Sequence, residues 1–165
     1  MPVGIRELTE DDVEAVVALS LRAWAPVFAS FEAVLGAAVY RHLYPDWTTS
    51  QARAVEQVCR DGALLVRVAV DEADRPIGFV AVALHDETHD EPCSGEIEMV
   101  AVDPAQQRRG TGAALVEHAL AEMRQAGVRL AVVATGGDPG HAPARAAYER
   151  AGFTGLPLVR YYRRL

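Results

Sequence analysis

The stretch Val100-Ala101-Val102-Asp103-Pro104-Ala105-Gln106-Gln107-Arg108-Arg109-Gly110-Thr111-Gly112-Ala113-Ala114-Leu115 decides how this chain is read. Its apolar opening reads as the end of a strand, which Asp103-Pro104 stops. Beyond the turn, Gly112, Leu115, Val116, Ala119, Leu120, Met123 and Ala126 recur on one helical stripe, and Gly127 closes it. The first N–H groups of such a helix have no intrahelical partner. With the positive end of the helix dipole they make a site for a phosphate or pyrophosphate. Gly110 and Gly112 let a ligand approach the backbone, and Arg108 and Arg109 add charge. A bare Gly-x-Gly fits a flexible helix start as well. A Gln and two Arg on the same turn favour the anion site.

Two cofactor classes compete for that site. A dinucleotide fingerprint places a third small residue where Leu115 stands. It also sets an acidic ribose ligand about 20 residues further on. The strand predicted from Val128 carries no acid before Asp138. The dinucleotide reading is weak.

Composition narrows the chemistry. The 165 residues carry 16 basic and 23 acidic side chains, a formal charge of −7, and every base is arginine. Without lysine there is no Walker-type phosphate loop, no kinase strand lysine and no Schiff-base anchor. Asp86, Glu87, Asp90, Glu91, Glu96 and Glu98 form one acidic segment; without these six, 16 bases would face 17 acids. That balance argues against nucleic-acid binding, which neutralises phosphates with a basic face. Cys59 and Cys93 form no metal-spaced set and read as isolated reduced thiols. The charged first twelve residues lack a signal peptide's apolar core, and no apolar run of the ~20 residues needed to span a bilayer is evident. A cytoplasmic protein with one domain over residues 1–165 is expected.

Ile5–Leu8 reads as a strand and Thr9 to Asp12 as a capping-box-like helix start. Val13, Val16, Val17, Ser20 and Trp24 follow at helical spacing, with a break or kink expected before Pro26. A second helical stretch, Phe28 to Arg60, is interrupted around Tyr44-Pro45-Asp46-Trp47. It carries most of the aromatic residues, which fit core packing or the wall of a pocket. Ala63–Val70 and Pro76–Leu84 flank the polar turn Asp71–Arg75 as a hairpin. Strands are further predicted at Ile97–Val102, Val128–Thr135 and Leu158–Leu165, and helices at Gly110–Gly127 and Pro143–Arg150. His85 and His89 with Asp86 and Asp90 have metal-like spacing but no helical stripe to fix it, so no metal is expected.

Gln107-Arg108-Arg109-Gly110-Thr111-Gly112 matches Gln/Arg-x-x-Gly-x-Gly/Ala, the pyrophosphate signature of the GNAT superfamily of acyl-CoA-dependent N-acetyltransferases. Ile5-Arg6-Glu7-Leu8-Thr9-Glu10-Asp11-Asp12 resembles that family's first strand and helix. Ala147-Tyr148-Glu149-Arg150-Ala151-Gly152-Phe153 resembles its Tyr-x-x-x-Gly-Phe segment. The three occur in the family's order.

The resemblance implies an α/β (α+β) fold: a central mixed, mostly antiparallel twisted sheet flanked by helices, with a splayed strand pair holding the cofactor. It implies acetyl-CoA as cosubstrate. The backbone of Gln107, Arg108, Arg109, Gly110, Thr111 and Gly112 would hold the pyrophosphate, and main-chain groups of Val100, Ala101 and Val102 the pantetheine arm. The thioester would lie between the Ile97–Val102 and Val128–Thr135 strands, and Tyr148 would protonate the departing thiolate. His141 stands where the family often has Asn near the arm, and can still donate a hydrogen bond.

The chemistry asks for a base to free the amine and a donor for the oxyanion, here the Val100 N–H. Glu96 and Glu98 are the candidate bases, expected by strand alternation to share the face of Val100 and Val102. Glu96 matches the position of the catalytic Glu in the histone-acetylating branch. The implied reaction is direct attack of a primary amine, on a small molecule or a peptide, through a tetrahedral intermediate. The acidic segment favours a cationic amine, and exposed sheet edges leave room for a homodimer. The rival reading is a module of the same fold that binds acyl-CoA without catalysis.

Overall fold

Two β-branched runs face each other across a polar turn, and the sheet grows outward from that hairpin. The computed structural model describes residues 3–88 and 93–165. Strand β2 is Leu65–Val70 and β3 is Pro76–His85, antiparallel, with the Asp71 N–H donating to the Arg75 carbonyl in the turn. Strand β1, Gly4–Glu7, pairs with β2, and β4, Ser94–Val102, pairs with β3, both antiparallel. Strand β5, Leu130–Val133, adds parallel to β4 and completes the order β1-β2-β3-β4-β5. This is the mixed, mostly antiparallel sheet expected.

Helices cover both faces because the strands alternate apolar residues outward on each. Helix α1, Val13–Leu35, and α3, Trp47–Arg60, pack on one face. There Val16, Leu19 and Val55 meet Val68, Phe79, Ala81 and Ala101. Helix α4, Thr111–Gln125, covers the other with Leu115, Val116, Ala119 and Met123 against Val80, Val82, Ile97 and Val102. Each such large side chain, fully buried, contributes roughly 1.5–3 kcal/mol of transfer free energy. Arg67 of β2 clamps α4 from its edge, 2.6 Å from the Glu122 carboxylate. The short α2, Ala37–Leu43, and α5, Ala142–Arg150, complete the chain of elements.

Four sequence expectations need correction. The hydrogen-bonded helix α1 runs unbroken through Pro26 and ends at Gly36. Pro26 and Arg22 are exposed, so the carbonyl that loses its N–H partner faces solvent rather than the core. The stretch Glu10–Leu35 is also long and apolar enough, by length and composition alone, to cross a bilayer. Its charged residues are spread widely enough to hide that run from a reading of the sequence. Here Val13, Val16, Leu19 and Phe28 are spent on the protein core.

Strand alternation fails in β4. Ala81 and Val82 are neighbours on β3, yet they pair with Met99 and Ile97, which leaves Glu98 as the extra residue of a bulge. Last, Leu158–Leu165 joins no strand: Leu158, Val159, Tyr161 and Leu165 are exposed. That segment has strand propensity, but no neighbour supplies a ladder. The expected capping interaction does form, since the Thr9 N–H donates to the Asp12 carboxylate at 2.8 Å.

Candidate functional site

Strand β4 has nine residues and β5 four, and their ladder ends at the pair Ile97–Val133. Beyond that pair the β5-facing backbone edge of Met99 to Val102 has no strand partner among the described residues. The expected splay is present. It opens into a cleft of about 710 Å³ lined by Val100, Ala101 and Val102, by the loop before α4, and by Tyr148 of α5.

The loop is fixed by its own side chains. Asp103 accepts from the Ala105 N–H at 2.9 Å and forms an ion pair with Arg22 of α1, which holds its carboxyl below the usual range. The Gln107 amide donates to the Val102 carbonyl at 3.0 Å, so this side chain is spent tying the loop to the strand. Arg108 and Gly110 adopt left-handed φ values of 61° and 85°. Only glycine takes that conformation without strain, which is what Gly110 contributes as the cap of α4. Gln107, Arg108, Gly110 and Gly112 line the cleft. Arg109 and Thr111 do not: Arg109 reaches back to Gln106 at 3.3 Å, and Thr111, the first residue of α4, is buried.

Tyr148 is buried, its ring edge-on to Phe153 with centroids 5.9 Å apart. Burial pushes its phenol up from the usual value, so it stays protonated at neutral pH. A protonated phenol therefore stands in the same cleft as the loop before α4.

Glu96 and Glu98 are elsewhere. Glu96 is in register with Ala83, on the face of Ala81 and Met99, whereas Val100 and Val102 belong to the α4 face. The bulge at Glu98 is the reason the two faces do not coincide. Both glutamates cluster with His85, one ligand atom of each within 4.8 Å of the others, and His85 Nε2 lies 3.7 Å from Glu96. None of the three lines the cleft. His89, Asp90 and Glu91 lie outside the described residues.

His141 does line the cleft, in a setting that the sequence does not announce. Its Nδ1 is 2.5 Å from Asp138 Oδ1. Ser30 of α1 donates to Asp138 Oδ2 at 2.6 Å and accepts from the Gly140 N–H at 2.9 Å. The other side of the imidazole meets Phe31, whose ring stacks with that of Tyr44 at 5.5 Å. Phe28 and Trp47 stack at 4.3 Å behind them. The aromatic residues thus serve as packing and as the wall beside the cleft. Trp24, Pro26 and Val27 of α1 also line it, and only the run of aromatics hinted at this.

Residues 32–153 match the family described as Acetyltransferase (GNAT), and the chain belongs to that family. The mycothiol acetyltransferase of Segniliparus rotundus is 38% identical over 87 residues, 53% of this chain and 32% of that protein. That of Kocuria rhizophila is 36% identical over 89 residues, 54% of this chain and 29% of that protein. The matched segment spans about a third of these relatives. Among solved structures, AAC(6')-Iy in complex with a bisubstrate analogue, CoA-S-monomethyl-acetylneamine, superposes with TM-score 0.66 at 19% identity, covering 100% and 99% of the two chains. The aminoglycoside 6'-N-acetyltransferase AAC(6')-IG of Acinetobacter haemolyticus gives 0.67 at 16%, covering 98% of each. These likenesses show the fold.

Proposed function

We propose that this chain transfers an acetyl group from acetyl-CoA to a primary amine of a small molecule by direct attack. The observation that carries the reading is one cleft that joins the free edge of β4, the Gln107–Gly112 loop and the phenol of Tyr148. The residues fit the cosubstrate. The β4 edge offers N–H and C=O groups to an extended amide-bearing arm, as an added strand would. The loop and the start of α4 offer unpaired N–H groups and the Arg108 charge to a pyrophosphate. When bound, acetyl-CoA supplies a thioester activated for acyl transfer.

The protein's own groups then have limited work. The Val100 N–H would donate to the oxyanion that develops at the carbonyl. Tyr148 gives its proton to the departing sulfur. Cys59 takes no part: it is buried and its thiol is pushed up to about 11, so it holds no thiolate at neutral pH. The relatives named for mycothiol and aminoglycosides support a small-molecule acceptor ahead of a peptide. The acceptor would enter beside Phe31, Tyr44 and His141.

Purified protein, acetyl-CoA and a panel of amines, followed by thiol release, test the reading. Turnover with a small amine is expected. Calorimetry with acetyl-CoA, NAD and ATP separates the alternatives. Acetyl-CoA binding with no turnover on any amine supports a binding module instead, and NAD binding with no CoA response ends the acetyltransferase claim.

A further inference from the structure

Ser30 and the Asp138–His141 segment are more than a hundred positions apart, yet they build one hydrogen-bonded unit at the end of the cleft. The carboxylate of Asp138 receives three donors: the Ser30 hydroxyl, the Gly140 N–H and the His141 ring. Arg145 braces the same loop through the carbonyls of Gly136, at 2.5 Å, and Asp138, at 2.8 Å. Space is closed as well. A Cβ on Gly136 would lie 2.4 Å from Asp138 Oδ1 and 2.5 Å from His141 Nδ1, so glycine there is a condition of the pair. With Nδ1 engaged by a carboxylate, the neutral imidazole carries its proton on Nδ1 and leaves a lone pair on Nε2. Among the described residues Nε2 has no protein partner.

We propose that His141, oriented by Asp138, is the base that takes the proton from the acceptor's ammonium group, directly or through one water. The proposal rests on the acetyl-transfer reading above. His141 stands between the cleft shared with Tyr148 and the Phe31–Tyr44 stack, where donor and acceptor would meet. The other ionisable groups lining the cleft are Arg108, Glu117, Tyr148 and Arg150. Arginines hold their protons, Tyr148 is a donor, and Glu117 sits on α4 one turn beyond Ala113, at the loop end. Glu96 and Glu98 lie outside. Asp138 engages the imidazole from its own segment and Phe31 from α1; Arg145 of α5 bonds the loop carbonyls and Ser30 bonds Asp138.

The steps balance. Nε2 takes one proton from the ammonium, and the freed amine nitrogen forms a bond to the thioester carbon. The C–S bond breaks, and the sulfur takes the Tyr148 proton. The acylated nitrogen's excess proton returns to the phenolate, and the imidazolium releases its proton to water. One proton appears per turnover.

His141→Asn keeps a hydrogen-bond donor and removes the base. It should lower kcat about 10²-fold or more, flatten the acidic limb of the kcat/KM profile, and leave KM for acetyl-CoA within about threefold. Asp138→Asn leaves the ring without the carboxylate that fixes its tautomer and orientation, so kcat should fall about tenfold or more while KM for acetyl-CoA stays within about threefold. An intact limb in His141→Asn, or a loss confined to KM for acetyl-CoA, overturns the proposal. So does a limb lost in Glu96→Gln or Glu98→Gln instead. Nitrogen NMR of the His141 ring in the free protein should show the Nδ1–H tautomer; the Nε2–H tautomer overturns the dyad independently of turnover. Wild type that binds acetyl-CoA and acetylates no amine overturns the parent reading and this one with it.

Discussion

The cleft has two ends built in different ways. At the loop end the groups offered to a ligand are backbone: the unpaired edge of β4, the left-handed cap at Gly110 and the first turn of α4. The residues concerned are contiguous in sequence. At the other end the groups are side chains carried by α1 and by the segment between β5 and α5, joined across 108 and 110 positions. A ligand of fixed chemistry needs only a repeatable backbone shape, which a short motif encodes. An acceptor that differs between relatives needs side chains, which can come from anywhere the fold brings together.

Tyr148 belongs to neither end and should show the largest effect. Tyr148→Phe removes the phenol proposed as proton donor, so kcat should fall about 10²- to 10³-fold in a thiol-release assay. KM for acetyl-CoA should barely move, since the backbone end is untouched. A variant that loses acetyl-CoA binding but keeps turnover would break the division of labour.

Gly110→Val sharpens the backbone end. A β-branched residue at φ 85° costs about 1–2 kcal/mol in the left-handed region. The loop would relax that strain by shifting, so acetyl-CoA affinity should drop about tenfold by calorimetry, while kcat at saturation changes little. An equal loss in both quantities would mean that the loop also positions the chemistry.

The two ends differ in how far the sequence reveals them. Gln107 to Gly112 was legible because the strand, turn and helix signals are local and their glycines sit at fixed offsets. The hairpin around Asp71–Arg75 was legible for the same reason. Glu98 was not: a bulge inserts one residue into the pairing, and nothing in Ile97-Glu98-Met99 announces it. The face assigned to Glu96 failed with it. The Ser30–Asp138–His141 unit was invisible because its parts meet only through tertiary packing. Its one local trace is the glycine-rich run from Gly136 to Gly140. Leu158–Leu165 shows the opposite failure, strand propensity without a partner strand.

Asp12 lies far from both ends and tests whether the division is confined to the cleft. Arg6 pairs with its carboxylate at 2.7 Å, and that pairing, helped by Thr9, holds the Asp12 pKa at about 2. A carboxyl lowered by folding contributes stability that is full above its unfolded pKa near 4 and is lost as pH falls toward 2. Asp12→Asn should therefore cost about 1–2 kcal/mol in thermal or denaturant melts at neutral pH. The gap to wild type should close between about pH 4 and pH 2, and KM for both substrates should stay unchanged.

The smallest effect concerns long-range charge from the acidic run, whose described residues line neither end. Asp86 and Glu87 follow β3 beside the His85–Glu96–Glu98 cluster, and Asp90 and Glu91 continue the acidic run in sequence. Such a group raises the local concentration of a cation without touching it, and salt screens it over a Debye length of about 8–10 Å. Neutralising all four to amides should raise KM for a cationic amine about two- to fivefold at low salt, with the difference fading as salt rises. KM for acetyl-CoA, which we propose binds at the backbone end, should not follow. A change in both would mean that the acidic run acts on the anionic cosubstrate by repulsion, and the two ends would share one field. No change in either would reduce the run to a contribution to solubility and leave acceptor choice to the aromatic wall and His141 alone.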